Sequence, residues 1–264
     1  MEFGKLVGDS FGYAKDGLVG HYGKWIMLII LAILPVIPLA IGITFGVVAM
    51  FTSPGMILPV LAVAVILAVI LALPLMGYIV RVYKGTTPAP EVDNWGSLFS
   101  DGLKLFVILL IYAIPVIIIA VVLIGSVIMA LLPYSSQLMD PGQSAVLMNQ
   151  MMGMIGAAIF GLIVLIIVAF IIWLIEATAV VRFSRTGSIG EAFNFSEIFD
   201  RIGKIGVGFY IVALIIEAII VGIIVGILEF IPYIGFILVL IVTPILTLFQ
   251  ARYLCLLYDS AGTA

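Results

Sequence analysis

From Trp25 to Phe51 the chain carries no charged side chain, and five comparably apolar stretches follow, over Met56–Val82, Leu103–Leu132, Met151–Val181, Ile205–Leu228 and Ile234–Leu257. Runs of more than about 18 apolar residues are long enough to cross a bilayer as helices. Backbone inside hydrocarbon must satisfy its own hydrogen bonds, which leaves helices or closed barrels. Barrel strands would read as segments of about 10 residues alternating in polarity, and no such alternation occurs. Composition agrees: 65% of the 264 residues are hydrophobic and 9% charged, too little polar surface for a water-soluble fold of this size. The sequence predicts an all-α polytopic membrane protein, a single transmembrane domain over 1–264 with six spans. Most runs exceed the roughly 20 residues a bilayer needs, which calls for tilt or kinks. Pro35, Pro115 and Pro244, each well inside a span, supply the kinks.

Charge orders these spans. The connections Thr52–Gly55, Pro133–Gln150 and Glu229–Tyr233 contain no Lys or Arg. All eleven basic residues fall on the opposite side: Lys5, Lys15, Lys24, Arg81, Lys84, Lys104, Arg182, Arg185, Arg201, Lys204 and Arg252. By the positive-inside rule this places both termini in the cytoplasm, in the cell membrane. Acidic Glu2, Asp9 and Asp16 precede the first apolar run, so no cleavable leader is read and the first span is expected to stay. A net charge of −3 without a basic tract gives no reason to expect nucleic acid. The expected partners are membrane lipids, with a protein partner or a second copy of the chain beside them.

Three segments share a plan: a short amphipathic lead-in with an acid and a Lys, a span outward, and a span returning to an Arg. The lead-ins are FGYAKDGLVGHYGKW (Phe11–Trp25), SLFSDGLKLF (Ser97–Phe106) and EIFDRIGKIG (Glu197–Gly206). Eleven residues past Lys24, Lys104 and Lys204 stand Pro35, Pro115 and Ile215. Gly42 and Gly46 recur at the same offsets as Gly222 and Gly226, while the middle copy has Val122 and Ser126. The expectation is three repeated helical hairpins, approximately 1–84, 91–185 and 193–258, related by an axis along the membrane normal. The glycine pairs have the small-xxx-small spacing that lets backbones approach, read here as packing within the monomer rather than between copies. The lead-ins are expected to lie in the interface as amphipathic helices, with Phe3, Leu6, Phe11, Trp95, Phe99 and Phe199 dipping towards lipid.

The opening segment, the block LMGYIVRVYKGTTPAPEVDNWGSLFSDGLKLFVILLIYAIP (Leu75–Pro115) and the closing ARYLCLLYDSAG (Ala251–Gly262) carry a resemblance. Aromatic and Gly-rich, with a basic residue ending each span, they resemble the archaeal and bacterial membrane proteins grouped as domain of unknown function 4013. The resemblance covers most of the chain. It implies a multi-span membrane protein and supplies no activity. The chain is also broadly similar to membrane domains that accompany some glycerophosphodiester phosphodiesterases, without a phosphodiesterase domain of its own.

Little in the sequence is arranged for catalysis. The single His, His21, sits at the entrance of the first span and reads as an interfacial polar residue. One His and one Cys, Cys255, cannot close a zinc site, and Cys255 is expected to face lipid or a neighbouring helix. No HExxH, GxSxG, phosphate loop or dinucleotide fingerprint occurs, and no pair of Asp residues lies inside the spans. Met139, Met148, Met151, Met152 and Met154 are soft donors of the kind Cu(I) accepts, but without His or Cys beside them they read as adaptable packing. No metal, no cofactor and no enzymatic activity are expected.

The intramembrane candidates are Glu217, Thr243, Glu176 and Arg182. Glu176 stands six residues before Arg182, about 9 Å from the span's end, within reach of headgroups or of an Arg on a neighbouring helix. Glu217 is deeper, about 20 Å beyond Lys204. Its span holds sixteen Ile, Leu, Val and Phe residues, worth roughly −5 to −10 kcal/mol of insertion free energy, against about +2.5 to +3.5 kcal/mol for the acid. The helix inserts with its Glu. With the connecting turn centred near residue 230, Glu217 lies level with Thr243. A protonated Glu217 is then expected to donate a hydrogen bond to Thr243 or to the Leu240 carbonyl that Pro244 leaves unpaired. The functional expectation is a non-enzymatic scaffold that binds lipid or a partner. The alternative is a transporter or lipid translocator that uses Glu217.

Overall fold

Three of the helices in this chain end beside Gly85, Gly187 and Gly206, whose positive φ a side chain resists. The computed structural model describes residues 2–132 and 144–262. Among them are nine α-helices: α1 (Phe3–Leu18), α2 (Tyr22–Ile33), α3 (Val36–Thr52), α4 (Ile57–Tyr83), α5 (Trp95–Leu131), α6 (Ser144–Thr186), α7 (Phe195–Ile205), α8 (Val207–Glu229) and α9 (Gly235–Asp259). Short 3-10 turns at Pro54–Met56 and Ile189–Phe193 precede α4 and α7, and no strand occurs among the described residues. Six stretches are long and apolar enough to cross a membrane: Tyr22–Thr52, Pro54–Tyr83, Trp95–Met129, Met152–Thr186, Val207–Glu229 and Gly235–Asp259. They coincide with the six expected spans, and the protein is a multi-pass, all-α membrane protein.

Two lead-ins are separate helices, and the middle one is not. Two residues past Lys204, Gly206 adopts φ 95°, open to glycine at little cost, and there α7 gives way to α8. Two residues past Lys104 stands Phe106, and α5 runs through without interruption from Trp95. Pro35 divides the first span into α2 and α3, whereas Pro115 and Pro244 lie inside continuous helices, as does Pro74 of α4.

The chain forms two compact units, one of Met1–Ile108 with Ala177–Ala264, the other of Leu109–Glu176. The division cuts through α5 and α6. In the first unit α9 is central: α1, α2, α4 and α8 all pack on it, burying Leu248, Phe249, Tyr253 and Cys255 completely. The Cys255 thiol faces α4, with Sγ 3.2 Å from the Val82 carbonyl. α3 lies along α4, and a Cβ at Gly42 would come within 2.3 Å of the Ala64 Cβ. The tightest approach joins α4 and α5. A Cβ at Gly77 would sit 1.9 Å from the Leu98 carbonyl oxygen, and one at Gly102 would sit 1.9 Å from that of Leu73. In the second unit a Cβ at Gly161 would meet a side-chain methyl of Leu123 at 2.1 Å, a group that can move aside.

α1 corrects one expectation. Its Leu6, Ser10, Ala14, Gly17 and Leu18 form a fully buried stripe, and it is packed against α9 rather than resting only on lipid. Phe3 stacks on Phe209 with centroids 4.4 Å apart, and Phe11 on Phe249 at 4.1 Å. Stacking on a neighbour's ring buries these aromatics more fully than an interface would. Trp95, Phe99 and Phe199 do remain exposed. Of the methionine group, Met139 and the side chains of Met148 and Met151 lie outside the described residues, Met152 is exposed and Met154 half-buried.

Candidate functional site

The polar groups within the spans of the first unit meet on α6, α8 and α9. On α8, Tyr210, Ala213, Leu214 and Glu217 are buried, a spacing that puts them on one helical face. Gln250 and Tyr253 stand one turn apart on α9. The Gln250 amide donates to Glu217 Oε1 at 2.8 Å, and the Tyr253 hydroxyl donates to the Ala213 carbonyl at 2.8 Å. From α6, the Thr178 hydroxyl donates to the Tyr210 oxygen at 2.9 Å. Among the described residues no buried side-chain nitrogen or oxygen lacks a hydrogen-bond partner.

Thr243 is not part of this arrangement. Its hydroxyl donates to the Val239 carbonyl of its own helix at 2.8 Å, and Glu217 accepts a hydrogen bond where a donor was expected. The register explains the change. α8 ends at Glu229 and α9 begins at Gly235, so the turn is centred on residue 232 and not 230. Residue 247 is then level with Glu217, and the long Gln250 side chain spans the remaining turn from the other direction. Gln250 left a signal in the sequence, an amide in an apolar span one turn from Tyr253, but it is not among the expected intramembrane candidates.

Glu176 and Arg182 also part company. Arg182 pairs with Glu191, a short contact, and with Glu197 at 3.6 Å, both in the connection and helix that follow α6. Glu176 is half-buried and enters none of the ion pairs found among the described residues. Gly42 and Gly46 are buried. Gly222 and Gly226 are exposed with open space where a Cβ would stand, so they do not pack within the monomer as expected: α9 approaches α8 on the Glu217 face instead. His21 is exposed at the start of α2. Among the described residues no three His, Cys, Asp or Glu side chains come together as a metal would require.

A second constellation closes the charged end of the first unit. Arg81, at the end of α4, donates to the carbonyls of Glu91, Asp93 and Asn94, to Asp93 Oδ1 at 2.6 Å and to Ser97 Oγ at 2.7 Å. Lys24 is buried, bonded to the Ala89 carbonyl at 3.1 Å and paired with Glu91 at 2.7 Å. Tyr78 holds the Pro90 carbonyl and Tyr13 the Thr86 carbonyl. Burial pushes the Tyr13 phenol up to about 12, against the opposing pull of Arg252, so it stays a hydrogen-bond donor at neutral pH. The connection between α4 and α5 is thus tied down by α1, α2 and α4 together.

The model of the family described as Protein of unknown function (DUF4013) matches residues 60–248. The chain belongs to this family. The matched DUF4013 stretch begins inside α4 and ends inside α9, so it contains the Arg81 clamp, Thr178, Tyr210 and Glu217, and stops two residues short of Gln250. α1 to α3 lie outside it. No curated protein and no solved structure matches the chain.

Breaking the Glu217–Gln250 bond should loosen the α8–α9 contact modestly, since interhelical hydrogen bonds in membranes are worth about 0.6 kcal/mol on average and about 1.7 at most. Glu217→Gln keeps an acceptor for Gln250 and should unfold like the wild type. Glu217→Leu should lower stability by about 0.5–1.5 kcal/mol, read as faster modification of the buried Cys255 thiol during denaturation. Equal rates for all three proteins would remove the bond's structural role.

Proposed function

We propose that this protein is a non-enzymatic membrane scaffold that binds lipid or a partner, seated in the cell membrane with its charged end and both termini in the cytoplasm. One observation carries the reading: the carboxylate of the deepest acid, Glu217, is engaged by Gln250 in a packed helix–helix contact. A conduit needs polar groups that converge on a hydrated path at mid-membrane. Here the hydroxyls of Thr178 and Tyr253 and the Gln250 amide are directed into bonds between helices. The competing reading, a transporter or lipid translocator working through Glu217, draws support from the same cluster, because Tyr210, Glu217, Gln250 and Tyr253 concentrate polarity between two spans.

Reconstitution in liposomes separates the two. The scaffold reading expects neither proton flux nor lipid scrambling that depends on Glu217. Either activity, present in the wild type and abolished by Glu217→Gln, would overturn it. Orientation is tested separately in a Cys255→Ser background. Asp16→Cys and Ser53→Cys place thiols at exposed positions on opposite ends of the first span. An impermeant maleimide applied to whole cells should label Ser53→Cys and leave Asp16→Cys untouched until the cells are opened. The reverse pattern would invert the topology.

A further inference from the structure

The cations of this protein are almost all engaged. Among the described residues Lys24, Arg81, Lys84, Lys104, Arg182, Arg185 and Lys204 stand in ion pairs. Arg201 binds the Gly262 carbonyl and lies over the Tyr258 ring, and Arg252 lies over Tyr13. Lys5 and Lys15 have no such partner, and Lys15 stands on the rim of a groove of ≈ 310 Å³ between α1, α2 and α9. The walls of that groove are Phe11, Leu18, Trp25 and Ile245. The Trp25 indole N–H is already donated to the Ile241 carbonyl at 3.0 Å, so the ring offers the groove only apolar surface. Asp9 and Asp16 project from a flank of α1 about 100–120° away from Lys15 at the helical pitch, and the rim stays cationic.

An apolar channel with one unpaired ammonium at its mouth, on a helix beside the first membrane span, complements an anionic phospholipid: the cation opposes its phosphate and the walls match its acyl chain. We propose that this groove holds an anionic phospholipid of the adjoining leaflet, its phosphate on Lys15 and part of one acyl chain between Phe11, Val19, Trp25 and Ile245. The volume is at the lower end of the roughly 300–1,000 Å³ of ligand pockets, which suits a single chain rather than a bulky apolar ligand. The site rests on the scaffold reading and names the lipid class that the scaffold would hold. An ammonium at an anionic surface gives about a fivefold preference for charged over zwitterionic headgroups.

The groove contains its own reporter. With Trp95→Phe and Trp173→Phe, Trp25 is the remaining Trp, and the full-length protein is reconstituted with lipids brominated on the acyl chain. Brominated phosphatidylglycerol should quench Trp25 at about one-fifth the mole fraction that brominated phosphatidylcholine requires. Lys15→Gln should equalise the two lipids while quenching by phosphatidylcholine persists, and Gly12→Leu, on a groove-lining position where a Cβ meets nothing within 4 Å, should reduce quenching by both. Circular dichroism and Cys255 protection show that each variant is folded, and a second groove-filling variant at an exposed wall position, Val19→Phe, stands in if Gly12→Leu is not. Equal quenching in the parent protein, or a preference that survives Lys15→Gln, would overturn the site and leave the scaffold reading standing. Glu217-dependent flux would overturn that reading and leave the quenching result untouched.

Discussion

Gly77→Val should yield no folded protein. The Cβ it introduces would stand 1.9 Å from the Leu98 carbonyl oxygen and 2.7 Å from its Cα, and these are backbone atoms that no rotamer change can move aside. α4 and α5 would have to separate over the whole crossing, losing the reciprocal contact in which Gly102 meets the Leu73 carbonyl. The cost belongs with the largest known for single substitutions, above about 4 kcal/mol, and Gly102→Val should match it. Gly8→Ala and Gly222→Ala, where a Cβ meets nothing within 4 Å, serve as controls that should behave like the wild type. The readout is size-exclusion in detergent together with the reactivity of Cys255, the single thiol, which is fully buried. A Gly77→Val protein that elutes as a sharp peak with Cys255 protected would show that the helices do not cross there.

Arg81→Ala should release the connection from Lys84 to Asn94. The guanidinium makes five hydrogen bonds, three of them to backbone carbonyls of that connection, and hydrogen bonds to charged groups each contribute about 1.5–3 kcal/mol. The exposed Asp93 carboxylate can return to water, which limits the net loss to about 2–4 kcal/mol. Arg81→Lys should recover little, because an ammonium cannot reproduce a planar fork that reaches several acceptors at once. Amide hydrogen exchange gives a local readout: the amides of residues 85–94 should exchange at least tenfold faster in Arg81→Ala, while those of α8 are unchanged. Unaltered exchange in the connection would remove the clamp.

The six spans were legible because insertion is a local property. A run of apolar residues crosses a bilayer whatever its neighbours are, and the limits read from hydropathy alone fall close to the helices observed. Contacts were less legible in proportion to their distance along the chain. Gly77 and Gly102 look like any other glycine in an apolar run, and only the crossing of α4 with α5 distinguishes them from Gly222 and Gly226. Glu217 announced itself by its cost in hydrocarbon, whereas Gln250, which costs less to bury, acquired meaning only when the α8–α9 register was known. The buried stripe of α1 follows the same logic: Leu6, Ala14 and Leu18 mark an apolar face, but not whether lipid or α9 covers it.

The ion pairs at the charged end imply an order of events in biogenesis. Lysines and arginines bias which way a span enters the membrane, whereas acids contribute little to that choice, and helices insert before they pack. On the proposed orientation Lys24, Arg81 and Arg182 would act twice, first as address labels on a chain that is still threading and later as the pins to which Glu91, Asp93 and Glu191 fasten the finished bundle. Losing one of those acids leaves the address readable and harms only the last step. Losing the cation touches both, so two substitutions that break the same ion pair fail at different times.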